Sequence, residues 1–449
     1  MLNVCALMLA DIAGLVLGNQ HSMLLGKDGS VWSTVITLRR LATTDKVVDP
    51  FIKVIEDGAM LLAAGVDFSL VLKQDGSVWG MGRNSRGQLG DGTRVAKEEF
   101  LFVQLFPGAK GLVAGACHSL IVTEDGRVLA TGWNKYGQLG DSLTSYRTRF
   151  LVSLSTGTKA TAVAAGDMYS IALKEDGSVW GAGWNYHGQL GDGSRDDRHQ
   201  FVEVMSSGAV YIAAGSCHSL VVKRDGSVWT TGCNEFGQLG DGSEKESLNY
   251  VQVVLSEVKA ASAGKHHSML LKLDGSVWAA GANQCGQLGY ANLVSSSMFV
   301  KVISDGATAI AAGGYHTMVL KQDGSVWVTG SNKEGQFGDG TTNSERKFIK
   351  SIPYSAGVEQ YTMTWAAASV VYPIRMFCNK SYSPLCVYIF IPGLAISTAA
   401  PASVTVASTI ITLPRTSDLI ATGCANDEGV NWLKGKSVFL DIFGSKGCI

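Results

Sequence analysis

The pentapeptide Asp-Gly-Ser-Val-Trp begins at Asp28, Asp75, Asp176, Asp225, Asp274 and Asp323, and a degenerate copy reads Asp125-Gly126-Arg127-Val128-Leu129. The spacing is about 49 residues, and a period of that length means one supersecondary unit repeated along the chain. A linear stack of units would need dedicated caps at both ends, whereas a closed ring needs none. The repeat also redirects the search for function. A residue present in every unit serves the unit, so functional residues are sought where the copies differ.

The fifth copy shows the unit. An apolar run, Leu220-Val221-Val222, meets Asp225-Gly226, and Val228-Trp229 follows. Asp-Gly between two such runs predicts a tight hairpin with both turn residues at positive φ. A glycine-rich loop, Gly237 to Ser243, comes next, then a strand at Val251–Val254 and another from Val258 into Gly264. The 54 glycines against 8 prolines fit many tight turns in ordered structure. The prediction is all-β: a seven-bladed β-propeller over residues 1–355, four antiparallel strands per blade. Residues 12–18 have the phase of the strand before His-Ser, and Lys347 to Ile352 that of a third strand. The N-terminal strand is therefore expected to complete the last blade. The apolar first ten residues lack the positive start of a signal peptide and read as strand.

The repeated residues have structural explanations. Trp32, Trp79, Trp180, Trp229, Trp278 and Trp327 alternate across a strand with the valines before them, so one or both of each pair are expected to wedge between blades. Leu89, Leu139, Leu190, Leu239, Leu288 and Phe337 are expected core anchors. His21, His118, His218, His267 and His316 share one phase, with Phe68 and Tyr169 in the remaining units. Equivalent positions in adjacent blades stand about 10 Å apart or more, too far for a shared metal. Each imidazole is expected to bond to a turn. Asp91, Asp141, Asp192, Asp241 and Asp339 read as turn-binding carboxylates. The nine cysteines include no Cys-x-x-Cys pair and are expected to be reduced buried thiols.

The string Gly-x-Asn-x-x-Gly-Gln-Leu-Gly-Asp-Gly-(Ser/Thr), with Gly-x-x-His-Ser and Asp-Gly before it, resembles the regulator of chromosome condensation repeat. Its best copies run Gly82–Thr93, Gly183–Ser194, Gly232–Ser243 and Gly330–Thr341. The resemblance covers about residues 12–352 and implies a seven-bladed propeller. Members include an exchange factor for the GTPase Ran, a plant ultraviolet-B receptor, a β-lactamase inhibitor and modules of ubiquitin ligases, so the fold leaves function open. In the first unit, residues 33–45 replace the loop motif, which predicts a distorted first blade. The sixth unit reads Gly-Gln-Leu-Gly-Tyr at 286–290.

Trp133 and Trp184 are extra tryptophans at one phase of the third and fourth units, and with Tyr136, Tyr186 and His187 they suggest an aromatic contact patch. The ultraviolet-B receptor's Gly-Trp-Arg-His-Thr is absent, which places photoreception behind the other readings. Lys73, Lys174, Lys223, Lys272 and Lys321 precede the Asp-Gly turns and mark one rim. The opposite rim carries variable loops, with Arg195, Asp196, Asp197 and Arg198, then Glu244 and Lys245, then Arg346. These residues are the candidate protein-binding set.

No nucleophile elbow, phosphate loop, zinc signature or catalytic carboxylate pair is present, so the expectation is a non-enzymatic protein without a cofactor. The formal net charge of −1 gives no reason to expect a nucleic-acid partner. The favoured function is a protein-interaction scaffold in the cytoplasm or nucleus, and the alternative is exchange or effector activity on a Ran-type small GTPase. After residue 355 the repeat dissolves into an extension, 356–449, of uncertain structure. Its stretch from Ser381 to Pro414 carries no Asp, Glu, Lys or Arg but four prolines. That stretch exceeds the roughly 20 residues of a membrane span, so a membrane reading stays open, behind disorder, a small appended element or a misassigned gene end.

Overall fold

The computed structural model describes residues 12–34, 50–154, 157–254, 256–291 and 294–351, together with isolated strands between 359 and 439. Seven four-stranded antiparallel sheets, each contiguous in sequence, span residues 12–55, 59–105, 109–154, 160–205, 209–254, 258–303 and 307–351. We number them blades 1 to 7. Blade 1 is complete in itself: Ile12–Leu17, Ser22–Gly26, Val31–Ser33 and Ile52–Ile55 pair in order. The expected strand exchange between the termini is therefore overturned, because the last blade already owns four strands, the fourth being Glu345–Ser351. Side chains close the ring instead. Ile12, Leu17 and Trp32 of blade 1 share one buried cluster with Met318, Val328 and Phe337 of blade 7. The replaced loop of the first unit lies mostly outside the described residues.

The pentapeptide explains itself through local chemistry. In blade 1 the hairpin loop is Lys27-Asp28-Gly29, with Gly26 N–H donating to Ser30 C=O and Gly29 N–H to Gly26 C=O. Of the loop residues only Gly29 has positive φ, so this is a three-residue loop ending in a left-handed glycine, not the two-residue turn expected. The Asp28 carboxylate accepts the Ser30 N–H, and the Ser30 hydroxyl accepts the Trp32 indole N–H. The same relay runs through Asp75, Ser77 and Trp79. The valine of each copy is fully buried, while most of the tryptophans are only half-buried. Both wedge: Val31 joins the buried cluster between blades 1 and 2, and Trp32 the cluster between blades 7 and 1. Each tryptophan lends its exposed face to a lysine: Lys223 Nζ stands 4.2 Å from the Trp229 ring and Lys174 Nζ 3.7 Å from that of Trp180.

Two devices join neighbouring blades. The first is the Gly-Gln-Leu-Gly loop, which reaches from its own blade onto the fourth strand of the next. Gly92 N–H donates to Thr148 C=O, and Gly90 lies so close under Phe150 that a side chain there would collide with the ring. The repeated leucines and Phe337 are fully buried beneath these loops, as expected.

The second device is a belt of histidines. His118 Nε2 lies 2.9 Å from the Ser170 hydroxyl of the next blade, and that hydroxyl donates to Gln138 C=O at 2.7 Å. His218–Ser268, His267–Thr317 and His316–Ser22 repeat the pattern, and His21 reaches Ser69. The imidazoles bond to the adjacent blade, not to a turn as the sequence suggested. Tyr169 continues the belt in its blade, donating to His218 C=O. Inside it, Gly18, Gly65, Gly115, Gly166, Gly215, Gly264 and Gly313 form a collar. A methyl group on any of them would fall within 2.8 Å of the next blade's glycine carbonyl.

The chain divides into two compact units, Met1–Tyr354 and Ser355–Ile449. In the second, Glu359–Ala367, Val370–Cys378, Tyr388–Phe390 and Ser437–Phe439 make a four-stranded antiparallel sheet, and Ser403–Val406 pairs with Thr409–Thr412. Among the described residues no helix is long and apolar enough to cross a membrane, and much of 381–414 lies outside them.

Candidate functional site

Strand alternation puts the loops before the histidines and the Gly-Gln-Leu-Gly loops on one face of the disc, and the lysine–tryptophan hairpins on the other. On the first face a rigid frame carries the variable residues. Gly132 has φ of 104°, and a side chain there would strike the Cys117 carbonyl and backbone. This crossing lets Trp133 N–H donate to Cys117 C=O and fixes where the indole starts. Buried Asn134 then ties the loop: its amide donates to Asp141 and Leu143 C=O, and its oxygen accepts from Leu139 N–H. Asp141 and its equivalents do bind their turns, and several gain a basic partner as well, as in Arg147–Asp141 and Arg198–Asp192.

The frame aligns an arc of rings across blades 3 and 4, with a cation from blade 2 at its start. Arg86 of blade 2 lies over Trp133 of blade 3 at 5.3 Å. Trp133 meets Tyr136 edge-on at 5.9 Å, and Tyr136 meets Trp184 of blade 4 at 6.2 Å. Trp184 stacks parallel to Tyr186 at 6.4 Å and takes the His187 ring edge-on at 5.3 Å. Tyr186 is 60 % exposed and forms the outer end. Blade 5 clamps this end, since Glu246 accepts from Arg195 and lies 3.0 Å from His187 Nδ1. The Arg195 hydrogen bond holds the Glu246 carboxyl below its ordinary range, and the Arg195 guanidinium is correspondingly raised.

The structure thus brings Trp133, Tyr136, Trp184, Tyr186, His187 and Arg195 together. Asp197 caps Asn185 N–H, and Arg198 is held by Asp192, so both serve the frame. Asp196 and Glu244 are exposed beside the clamp, and Lys245 offers its carbonyl to Asn234. Arg346 sits apart on blade 7, where its guanidinium caps Ala291, Gln284 and Asn283 carbonyls of blade 6. Sequence reasoning missed Arg86 and Lys135, although Arg86 shares the loop phase of Tyr136 and His187. It also missed Cys217–Cys233, which form a disulfide across 5.6 Å between Cα atoms and correct the expectation of thiols throughout. Cys233 occupies the phase of Trp133 and Trp184, so the disulfide stands where the arc's next tryptophan would fall. Cys117 is a free thiol whose pKa is raised by burial.

A cavity of about 340 Å³ opens on the same face at the axis, lined by the glycine collar and by Asn19, Asp167 and Lys265. Among the described residues no group of three His, Cys, Asp or Glu is placed to hold a metal ion.

The blades, the loop frame and the histidine belt define a seven-bladed repeat propeller with one structurally irregular face. The RCC1-like domain model matches residues 102–371, and models of the regulator of chromosome condensation (RCC1) repeat match 61–88 and 75–122. The chain belongs to the RCC1-like family. No curated protein matches it in sequence. Human WBSCR16 is similar in structure, with a TM-score of 0.62 at 23 % identity over 70 % of this chain and 86 % of that one. Yeast RCC1 (Prp20) bound to Kap60 is similar at 0.60 and 20 % identity, over 68 % and 77 %. Prp20p of Saccharomyces cerevisiae gives 0.60 and 20 %, over 68 % and 79 %.

Proposed function

We propose that the chain is a non-enzymatic interaction scaffold that docks a protein partner on the face bearing the Gly-Gln-Leu-Gly loops. The observation that carries this reading is the arc from Trp133 to Tyr186. It is the place where the repeat is broken by large aromatic side chains that the blades do not need for packing. Such rings, rigid and partly wet, are the side chains that anchor protein interfaces. The test is affinity capture with the full chain against Trp184→Ala/Tyr186→Ala. Loss of specific partners with an unchanged melting temperature is expected, and an identical partner set refutes the reading.

A second reading, a Ran-type GTPase as the partner, draws support from Prp20p, whose structure is described together with its binding to Gsp1p and histones. Accelerated nucleotide release from a Ran-type GTPase would support it, and no release with no complex would end it.

A further inference from the structure

Two independent departures from the seven-fold pattern coincide at blades 2 and 3. The first is charge. Arg83, Lys97 and Arg147 are neutralised by Asp67, Asp91 and Asp141. Arg86, Arg94, Lys135 and Arg149 have no carboxylate partner among the described residues. Three of these cations rest on aromatic rings instead: Arg86 on Trp133, Lys135 on Tyr136, and Arg94 on Tyr146 at 4.6 Å. A cation on a ring keeps its charge available, because the ring does not neutralise it.

The second departure is apolar exposure. The fourth strand is the outer strand of each blade, and in blades 3 to 6 its start is bridged by the loop of the preceding blade, as Arg149 is by Asp91. On blade 2 it exposes Leu101, Phe102 and Leu105, and on blade 3 Leu151 and Val152. Phe102 is 55 % exposed and Leu105 51 %. The corresponding strands of blades 4, 5 and 7 expose no large apolar side chain. Exposed apolar side chains along a sheet's outer strand mark where an extended segment can add itself to the sheet.

We infer that blades 2 and 3 form the docking quadrant for an extended acidic peptide segment of a partner protein, one with apolar residues between its carboxylates. The inference rests on the scaffold reading and names the partner's chemistry. The carboxylates meet Arg86, Arg94, Lys135 and Arg149, and the apolar residues cover the exposed strand faces. A polyphosphate chain fits less well. It would have no use for the exposed apolar side chains Leu101, Phe102 and Leu105.

The test uses the full chain and a short labelled peptide of alternating Glu and Leu, followed by fluorescence anisotropy at about 50 and about 300 mM salt. A Lys-Leu peptide and polyuridylate are the competitors. Binding of the acidic peptide is expected, weakened by salt and weakened about tenfold or more by Arg86→Glu/Lys135→Glu. Lys333→Glu changes the exposed lysine at the phase of Lys135 on blade 7 and is expected to leave binding within about twofold. Phe102→Ser is expected to weaken binding without changing its salt dependence. The milder Arg86→Gln guards against misfolding of the double variant.

Equal losses from the two quadrants, preference for polyuridylate, or no binding of the acidic peptide at about 1 mM each overturn the inference. If partner capture still depends on Trp184 and Tyr186 while the acidic peptide fails, the scaffold reading survives and this inference falls alone.

Discussion

The histidine belt makes a quantitative prediction about pH. In the belt, Ser22, Ser170, Ser268 and Thr317 donate their protons to glutamine carbonyls, so each can only accept from the histidine that faces it. That fixes the proton on Nε2. The other nitrogen, Nδ1, is buried without a partner in all five histidines. Burial therefore lowers the pKa to about 4 for His21 and His118 and to about 3 for His218, His267 and His316. In the unfolded chain each would titrate near 6.5. Above that pH both states are neutral and the belt is at full strength. As the pH falls below about 6.5, the unfolded chain takes up protons that the folded chain refuses, so stability drops until the folded values near 3 to 4 are passed. Between about pH 7 and pH 5 each histidine then removes about 2 kcal/mol, against a total stability of about 5–15 kcal/mol for a typical domain.

His118→Phe isolates one member, since Phe68 already fills the equivalent place in blade 2. The variant gives up the bond to Ser170 and is expected to lose about 1 kcal/mol at pH 7. It should also lose about 2 kcal/mol less than wild type on acidification to about pH 5. Ser170→Ala, which keeps the imidazole, should instead retain the wild-type pH slope. Urea unfolding followed by tryptophan fluorescence at each pH measures both. If His118→Phe and wild type lose stability in parallel as the pH falls, the belt is not the source of the acid sensitivity and the reasoning fails.

Two further substitutions probe the fold. Gly115→Ala would press a methyl group into the Gly166 carbonyl and within 2.7 Å of His118 Nδ1, and should cost about 2 kcal/mol or more, read as a lowered urea midpoint. Gly111→Ala, in the first strand of the same blade, meets only the Val122 side chain at 3.3 Å and should cost far less in the same assay. The Cys217–Cys233 bond closes a loop with a sequence separation of 16, and Cys233→Ser should cost roughly 3 kcal/mol. Non-reducing peptide mapping should recover the linked pair, and a free thiol at both positions would contradict the assignment.

What could be read in the sequence was whatever repeats within one unit. The Asp-Gly-Ser-Val-Trp copies announce the hairpins, and Leu89 and its equivalents announce the core, because each recurs in six of the seven units. What could not be read lies between units. His118 and Ser170 are 52 residues apart, and their meeting depends on the angle at which blades pack. The closing seam escaped for the same reason: strand phase at the termini is compatible with exchange, and only the pairing of Ile12–Leu17 with Ser22–Gly26 excludes it. The arc was half visible. Trp133 and Trp184 stood out as additions to a repeat, but Arg86 is an ordinary surface residue until blade 2 places it over the neighbouring indole. The disulfide was hidden because Cys217 and Cys233 fall at different phases of one unit, on loops that only the folded face brings together.

The central claim is that the aromatic face receives the partner and the lysine–tryptophan face does not. Site-specific photocrosslinking tests it directly, with Tyr186→p-benzoylphenylalanine on the first face and Leu273→p-benzoylphenylalanine on the second. Both positions are well exposed, Leu273 at 70 %, so accessibility alone does not favour position 186. Illumination in cells should yield a discrete protein adduct from position 186 and none from 273. Adducts from 273 alone, or the same adduct from both, would contradict the claim.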